Sequence, residues 1–216
     1  MNLSSIKTEL SNGNISKVAE LAKSALDDGI DVKTVLDTLI EGMDEIGRKF
    51  RNNEIFIPEV MISAKAMHAG LDVLAPLLSK SGIKPVGKVG IGTVKGDLHD
   101  IGKNLVSMMF RGAGFEIIDL GIDVPVEKFI DTVRNKDVNI IAMSSLLTTS
   151  MGSMKNVIDE LQKQGLLSRV KTMVGGAPVT REFAKSIGAD GYAGDASSAV
   201  DKARELIRLL QGDRQV

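Results

Sequence analysis

Two histidines, no cysteine and no tryptophan leave this 216-residue chain few ways to do chemistry. Without thiols it has no disulfide, no Cys-ligated zinc and no iron–sulfur cluster, so imidazole chemistry falls to His68 or His99. His68 lies in an apolar helical stretch between Met67 and Ala69, with Asp72 one turn on, and reads as structural. His99 stands in Gly96-Asp97-Leu98-His99-Asp100-Ile101-Gly102, between an expected strand and an expected helix. A histidine at a strand's C-terminal end can point into a ligand crevice. Asp97 can accept a hydrogen bond from its second ring nitrogen, the common support of a metal-bound imidazole. Gly102 lets backbone approach a bulky ligand closely.

Two further segments end strands in the same way. Ser144-Ser145-Leu146-Leu147-Thr148-Thr149-Ser150 brings hydroxyl donors and acceptors to the same edge. Gly175-Gly176-Ala177-Pro178 leaves room for something long and flat. Each segment also has a plainer reading on its own. Asp97 could cap the next helix, although Asp100 is better placed for it. The serines and threonines could be turn residues, and the glycine pair a tight strand-to-helix turn.

The elements that must position these residues follow from apolar spacing. Residues 1–80 keep helical period: a short helix over 4–10, a second from Ile15 to near Asp28-Gly29, and a third after an Asp31 N-cap, running to Phe50. A fourth starts with Pro58 in its first turn and ends near Ser79. Met43, Met61 and Met67 read as core of this bundle. Residues 81–85 form a linker. Beyond it, strands at 88–94, 115–120, 139–144, 170–175 and 191–193 alternate with helices at 101–112, 126–134, 151–164, 181–187 and 196–211, with Thr180 capping the 181–187 helix. That alternation predicts a parallel sheet covered on both faces, with ligands at the strands' C-terminal ends. Lys103 and Asn104 read as helix-surface residues.

Asp97-x-His99-x-x-Gly102, Ser144-x-Leu146 and Gly175-Gly176, at their spacing, resemble the three-part signature of base-off, histidine-on cobalamin-binding domains. Gly42, Gly47, Phe50, Phe56-Ile57-Pro58 and the Met-containing helix after them resemble the cap of cobalamin-dependent methionine synthase. They are also similar to the small corrinoid proteins of methylamine, methanol and betaine metabolism. The resemblance covers nearly the whole chain. It implies an N-terminal all-α four-helix bundle cap, residues 1–82, followed by an α/β flavodoxin-like (Rossmann-like) five-stranded parallel sheet, residues 87–216.

It further implies cobalamin, with cobalt held by His99 in place of the cofactor's own benzimidazole. Asp97 and Ser150 would complete a His–Asp–Ser relay. Gly96, Asp100, Ile101, Gly102, Ser144, Leu146, Thr148, Gly175 and Gly176 would contact the cofactor, with Ser144, Leu146 and the glycine pair lining a channel for its nucleotide tail. Protonation of the relay would weaken the bond to cobalt. The implied role is a methyl carrier between a substrate:corrinoid methyltransferase and a methylcorrinoid:coenzyme M or tetrahydrofolate methyltransferase, maintained by a reductive activase, with the cap swinging on the linker. The donor stays open among methylamines, methanol, betaines and methoxyaromatics.

Other classes fit less well. A cobalamin-dependent regulator or sensor would carry a DNA-binding domain for which no residues are spare, and a light sensor of that kind tends to have a cap tryptophan. A radical-mutase subunit lacks such a cap, and a receiver-like fold would bind no corrinoid. A net charge of −1 with one tyrosine gives no footprint for nucleic acid. The amino terminus has no signal-peptide pattern and no apolar run long enough for a membrane is expected, so the chain is expected in the cytoplasm.

Overall fold

Asn14 and Asp31 each spend a side-chain oxygen on helix starts: Asn14 accepts from Lys17 N at 3.3 Å, and Asp31 from Lys33 N and Thr34 N at 3.0 and 3.1 Å. In the computed structural model, which describes residues 3–213, these caps open α2 (Ile15–Asp27) and α3 (Val32–Arg51). Before them runs α1 (Ser4–Ser11), and after them α4 (Ile57–Ser81), where Pro58 occupies the first turn and the Glu59 carboxylate takes the Phe56 N–H at 3.2 Å. α4 packs against α2 and α3, and α1 against α2 and α3. The apolar stripes meet in a core that includes Leu10, Val18, Leu39 and Leu74, with Met43 and Met67 buried in it and Met61 half-buried. Gly42 lets α1 come close to α3, since a Cβ there would stand 2.8 Å from Leu10 Cδ2.

One expectation is corrected by α4. Its stretch Ile57–Leu78, 22 residues at a mean hydropathy of 1.2, is long and apolar enough to cross a membrane by length and composition. The reading of short apolar runs missed this because Lys65, His68 and Asp72 interrupt the pattern.

The chain divides into two compact units, one formed by residues up to Pro85 with Arg111–Gly114, the other by Val86–Phe110 and the residues from Phe115 onward. Residues 1–2 and 214–216 of the two expected domains lie outside the described residues. The second unit runs β1 (Lys88–Val94), α5 (Ile101–Gly112), β2 (Glu116–Val124), α6 (Val126–Asn135), β3 (Ile140–Ser144), α7 (Gly152–Lys163), β4 (Lys171–Gly175), α8 (Arg181–Ser186), β5 (Gly191–Ala193) and α9 (Ala196–Asp213). All four strand pairings are parallel, in the order β2-β1-β3-β4-β5.

On one face, Phe129 of α6, Val157 of α7 and Ala184 of α8 close over Ile141, Met143 and Val174. Alternating with these, Val89, Ile91 and Met173 are buried toward the opposite face, and α9 contacts β3, β4 and β5. The order reverses between β1 and β3. Their C-terminal ends stay paired through Thr93 and Ser144, and the loops after β1 and β3 lie side by side at this switch of strand order.

β2 differs from the sequence expectation. It continues past residue 120 to Val124, absorbing register shifts against β1 between Ile91 and Gly92 and between Gly92 and Val94. Gly121 at φ +89° and Asp123 at φ +49° look like turn formers but serve as bulges inside the strand.

Candidate functional site

The loop after β1 is organised by one buried carboxylate. Asp97 is 0 % exposed and both its oxygens are saturated with donors. Oδ1 accepts from His99 N at 3.0 Å and meets His99 Nδ1 at 2.7 Å. Oδ2 accepts from Leu146 N at 2.7 Å, Leu147 N at 3.2 Å, Ser150 Oγ at 3.0 Å and Ser145 Oγ at 3.2 Å. Burial would push this carboxyl upward. The hydrogen bonds from the His99 backbone and ring, Leu146 N and Ser150 outweigh burial and hold it well below the usual carboxylate range. Asp97 is thus ionised at neutral pH and His99 Nδ1 carries the proton it shares with it. The lone pair of the neutral ring then lies on Nε2. The His99 side chain is 51 % exposed, and its carbonyl accepts from Thr93 Oγ1 at 2.8 Å, which anchors the loop to β1.

Around that ring the surface is unusually aliphatic. Leu98 is 68 % and Ile101 75 % exposed, and Ile122, Leu146 and Leu147 are exposed as well. They belong to β2's end, the loops after β1 and β3 and the first residue of α5, at one edge of the sheet. Such a cluster marks a ligand or partner surface.

Gly175 and Gly176 act partly through backbone approach. Gly175 O accepts from Ser145 N at 3.1 Å, and a Cβ on Gly175 would sit 3.0 Å from Ala193 O. At Gly176, with φ +127°, a Cβ would stand 1.8 Å from Ser145 O. The pair therefore lets the β4 tail press against the loop that feeds donors to Asp97. A Cβ on Gly102 would meet nothing within 4 Å, so the space over the start of α5 is open.

Of the residues expected from sequence, Asp97, His99, Ser150 and, through its backbone, Leu146 meet in one network. Ile101 and Gly102 lie on its open side, and Ser144 ends β3 opposite Thr93 and Gly175. Thr148 is exposed on the loop. The Asp100 carboxylate takes the Asn104 side-chain amide at 2.9 Å. Gly96 N donates to Asp123 Oδ1 at 2.8 Å.

Three residues were missed or misread. Ser145 joins the network that had been assigned to Ser150. Asp123, whose N also donates to Asp97 O at 2.9 Å, grips the loop from β2 and pairs with Lys95. Lys103, expected on a helix surface, is buried: its ammonium bridges both Asp119 oxygens at 2.8 and 2.7 Å and donates to Asn104 Oδ1 at 2.7 Å. The hidden signal was Asp119 and Asp123 in β2, the first level with Ile91 of β1 and the second beside the loop after it.

Residues 87–203 match the B12 binding domain, and residues 4–75 match a second B12 binding domain model. The chain belongs to the B12-binding corrinoid proteins. It is 40% identical to a corrinoid protein of Desulfitobacterium hafniense (strain Y51), over 95% of this chain and 97% of that one. It is 42% identical to the trimethylamine corrinoid protein of Methanosarcina barkeri, over 88% of this chain and 89% of that one. Its structure superposes with a TM-score of 0.84 on a chain of the methanol:cobalamin methyltransferase complex MtaBC of Methanosarcina barkeri. That chain is 31% identical, with 94% of this corrinoid protein and 78% of the other covered.

The cofactor of this corrinoid protein is cobalamin or a related corrinoid, and the site fits such a group on its own geometry. One imidazole nitrogen is locked to a carboxylate, the ring is half-exposed, and exposed aliphatic side chains share its edge of the sheet. That arrangement suits a metal carried in a broad, largely apolar macrocycle.

Proposed function

We propose that this corrinoid protein is a methyl carrier in which His99, through Nε2, would hold the cofactor's cobalt. When bound, the cofactor supplies a cobalt centre able to accept a methyl group and give it up again. The observation that carries the reading is the half-exposed His99 ring held through Nδ1 by buried, ionised Asp97.

The chain's own residues then have distinct tasks. Asp97 fixes the tautomer and orientation of His99 and makes its free nitrogen a better donor. Ser150 tempers the carboxylate's charge. Leu98, Ile101, Leu146 and Leu147 offer apolar contact to the macrocycle. Ser144, Leu146, Gly175 and Gly176 border the path for the displaced nucleotide tail, and Gly96, Asp100, Gly102 and Thr148 contact the cofactor.

Among the described residues, no group of three or more His, Asp and Glu side chains is placed to hold a metal ion. Relatives named for trimethylamine and dimethylamine, and the methanol:cobalamin methyltransferase complex, support partners of that class. They support a substrate:corrinoid methyltransferase as one partner; the carrier reading adds a second methyltransferase delivering the methyl to coenzyme M or tetrahydrofolate, and a reductive activase.

The test loads the purified protein with cobalamin, reduces it, and offers methylamines, methanol, betaines and methoxyaromatics with their methyltransferases. One donor class should methylate the bound cofactor, seen in its visible absorbance, and a second methyltransferase should reverse the change. A loaded protein that accepts a methyl from none of them contradicts the carrier role.

A further inference from the structure

Asp97 Oδ2 receives two kinds of donor. The N–H groups of Leu146 and Leu147 are fixed by the backbone, but the hydroxyls of Ser145 and Ser150 can turn. These hydroxyls lie 2.7 Å apart, and each is 3.0 Å from the Leu147 carbonyl as well as within reach of Asp97 Oδ2. Both side chains are buried, at 0 % and 3 % exposure, so neighbouring protein groups rather than bulk water set where their protons point.

Two protons have three destinations: the carboxylate, the other hydroxyl and the Leu147 carbonyl. With both on Asp97 its charge is most neutralised; with one on its neighbour hydroxyl or on the carbonyl, more negative charge is left facing His99. The fold does not need the Ser145 hydroxyl for this loop, because the structural bond there is Ser145 N to Gly175 O at 3.1 Å.

We propose that Ser145 is a positioning residue which, together with Ser150, sets through Asp97 how strongly His99 holds the corrinoid's cobalt. The inference rests on the reading of His99 as axial ligand. Removing one donor concentrates charge on Asp97, strengthens its pull on the Nδ1 proton and makes Nε2 a better ligand. In each single variant the surviving hydroxyl can turn to the carboxylate and compensate. The double variant has no such recourse.

The experiment loads the full chain with cyanocobalamin and titrates cyanide at one fixed pH. The cyanide concentration giving half-conversion to the dicyano spectrum measures how hard the imidazole is to displace. Ser145→Ala is expected to raise that concentration about threefold, and Ser150→Ala similarly. The Ser145→Ala/Ser150→Ala double variant is expected to raise it by more than the product of the two. Thermal unfolding of the apoprotein should be nearly the same for wild type and Ser145→Ala. Should Ser145→Ala fail to fold, Ser145→Cys, a far weaker donor of similar size, carries the same expectation.

An unchanged or lowered cyanide requirement in the Ser145 variant overturns the proposal. His99→Gly separates the two levels. If it titrates like wild type, the axial-ligand reading itself fails. If it differs from wild type while the Ser145 variant does not, only the role of Ser145 falls.

Discussion

A His99→Gly protein is expected to fold normally, to bind cobalamin roughly a hundredfold more weakly, and to show the visible spectrum of a cofactor without a protein imidazole. The fold should survive because two of this residue's three bonds in the network belong to its backbone. His99 N reaches Asp97 Oδ1, and its carbonyl receives Thr93 Oγ1. Glycine keeps both, and the lost ring is half in solvent. Stability should fall by about 1–3 kcal/mol, because buried Asp97 loses the ring donor on its Oδ1. The cofactor loses its protein ligand altogether, whereas losing a ligand's supporting partner alone typically costs ten- to a hundredfold in metal affinity. Absorbance of the loaded protein and equilibrium dialysis against cobalamin check both halves. Wild-type spectrum and affinity in the variant would remove His99 from the site.

A Gly176→Ala change is expected to act in the opposite way, through the fold. The new Cβ would lie 1.8 Å from Ser145 O and 2.8 Å from Ser145 C, at a φ of +127° that side chains rarely tolerate. Both atoms met are backbone, so no rotamer relieves the clash. The loop after β3 has to move, and with it the N–H groups of Leu146 and Leu147 that satisfy buried Asp97. We expect a loss of about 3 kcal/mol or more in denaturant unfolding, together with loss of cofactor.

Gly102→Ala is the matched contrast. Its Cβ would meet nothing within 4 Å. Stability should stay within about 1 kcal/mol of wild type, in a helical position where alanine is favoured. Cobalamin affinity alone should fall if the macrocycle lies over that surface. Equal stability loss in the two variants would show that the clash at Gly176 relaxes and that its neighbourhood is not the rigid support described.

The parts of this architecture readable from sequence were those set by local chemistry. Asp31 and Thr180 sit at helix starts where short polar side chains accept backbone N–H bonds, and Pro58 sits in a first turn. The strand-end segments around His99, Ser144 and Gly175 stood out because histidine, clustered hydroxyls and paired glycines are poor strand or helix formers.

What escaped depends on which strands become neighbours. Lys103 looks like any helix-surface lysine until β2 is placed beside β1, bringing Asp119 to its ammonium. The expected strand stopped at residue 120, before Gly121 and Asp123, whereas pairing with β1 carries it through them as bulges at positive φ. Ser145 and Ser144 are indistinguishable in one dimension. The alternation of β3 and the contact with Gly176 are what turn Ser145, and not Ser144, toward Asp97.

The central claim is that one imidazole nitrogen of this chain binds the cofactor's metal, and nuclear spin tests it directly. The protein would be loaded with cobalamin, reduced by one electron to the paramagnetic cobalt state, and examined by electron paramagnetic resonance with natural and heavy-nitrogen histidine. A His68→Gln background leaves His99 as the sole labelled ring. Nitrogen splitting that changes from triplets to doublets on labelling is the predicted result, because the coupled nitrogen is then the histidine's. Splitting that stays as triplets would mean that the cofactor's own base still holds the cobalt, and an absence of nitrogen splitting would mean that nothing does. Either result would contradict the account.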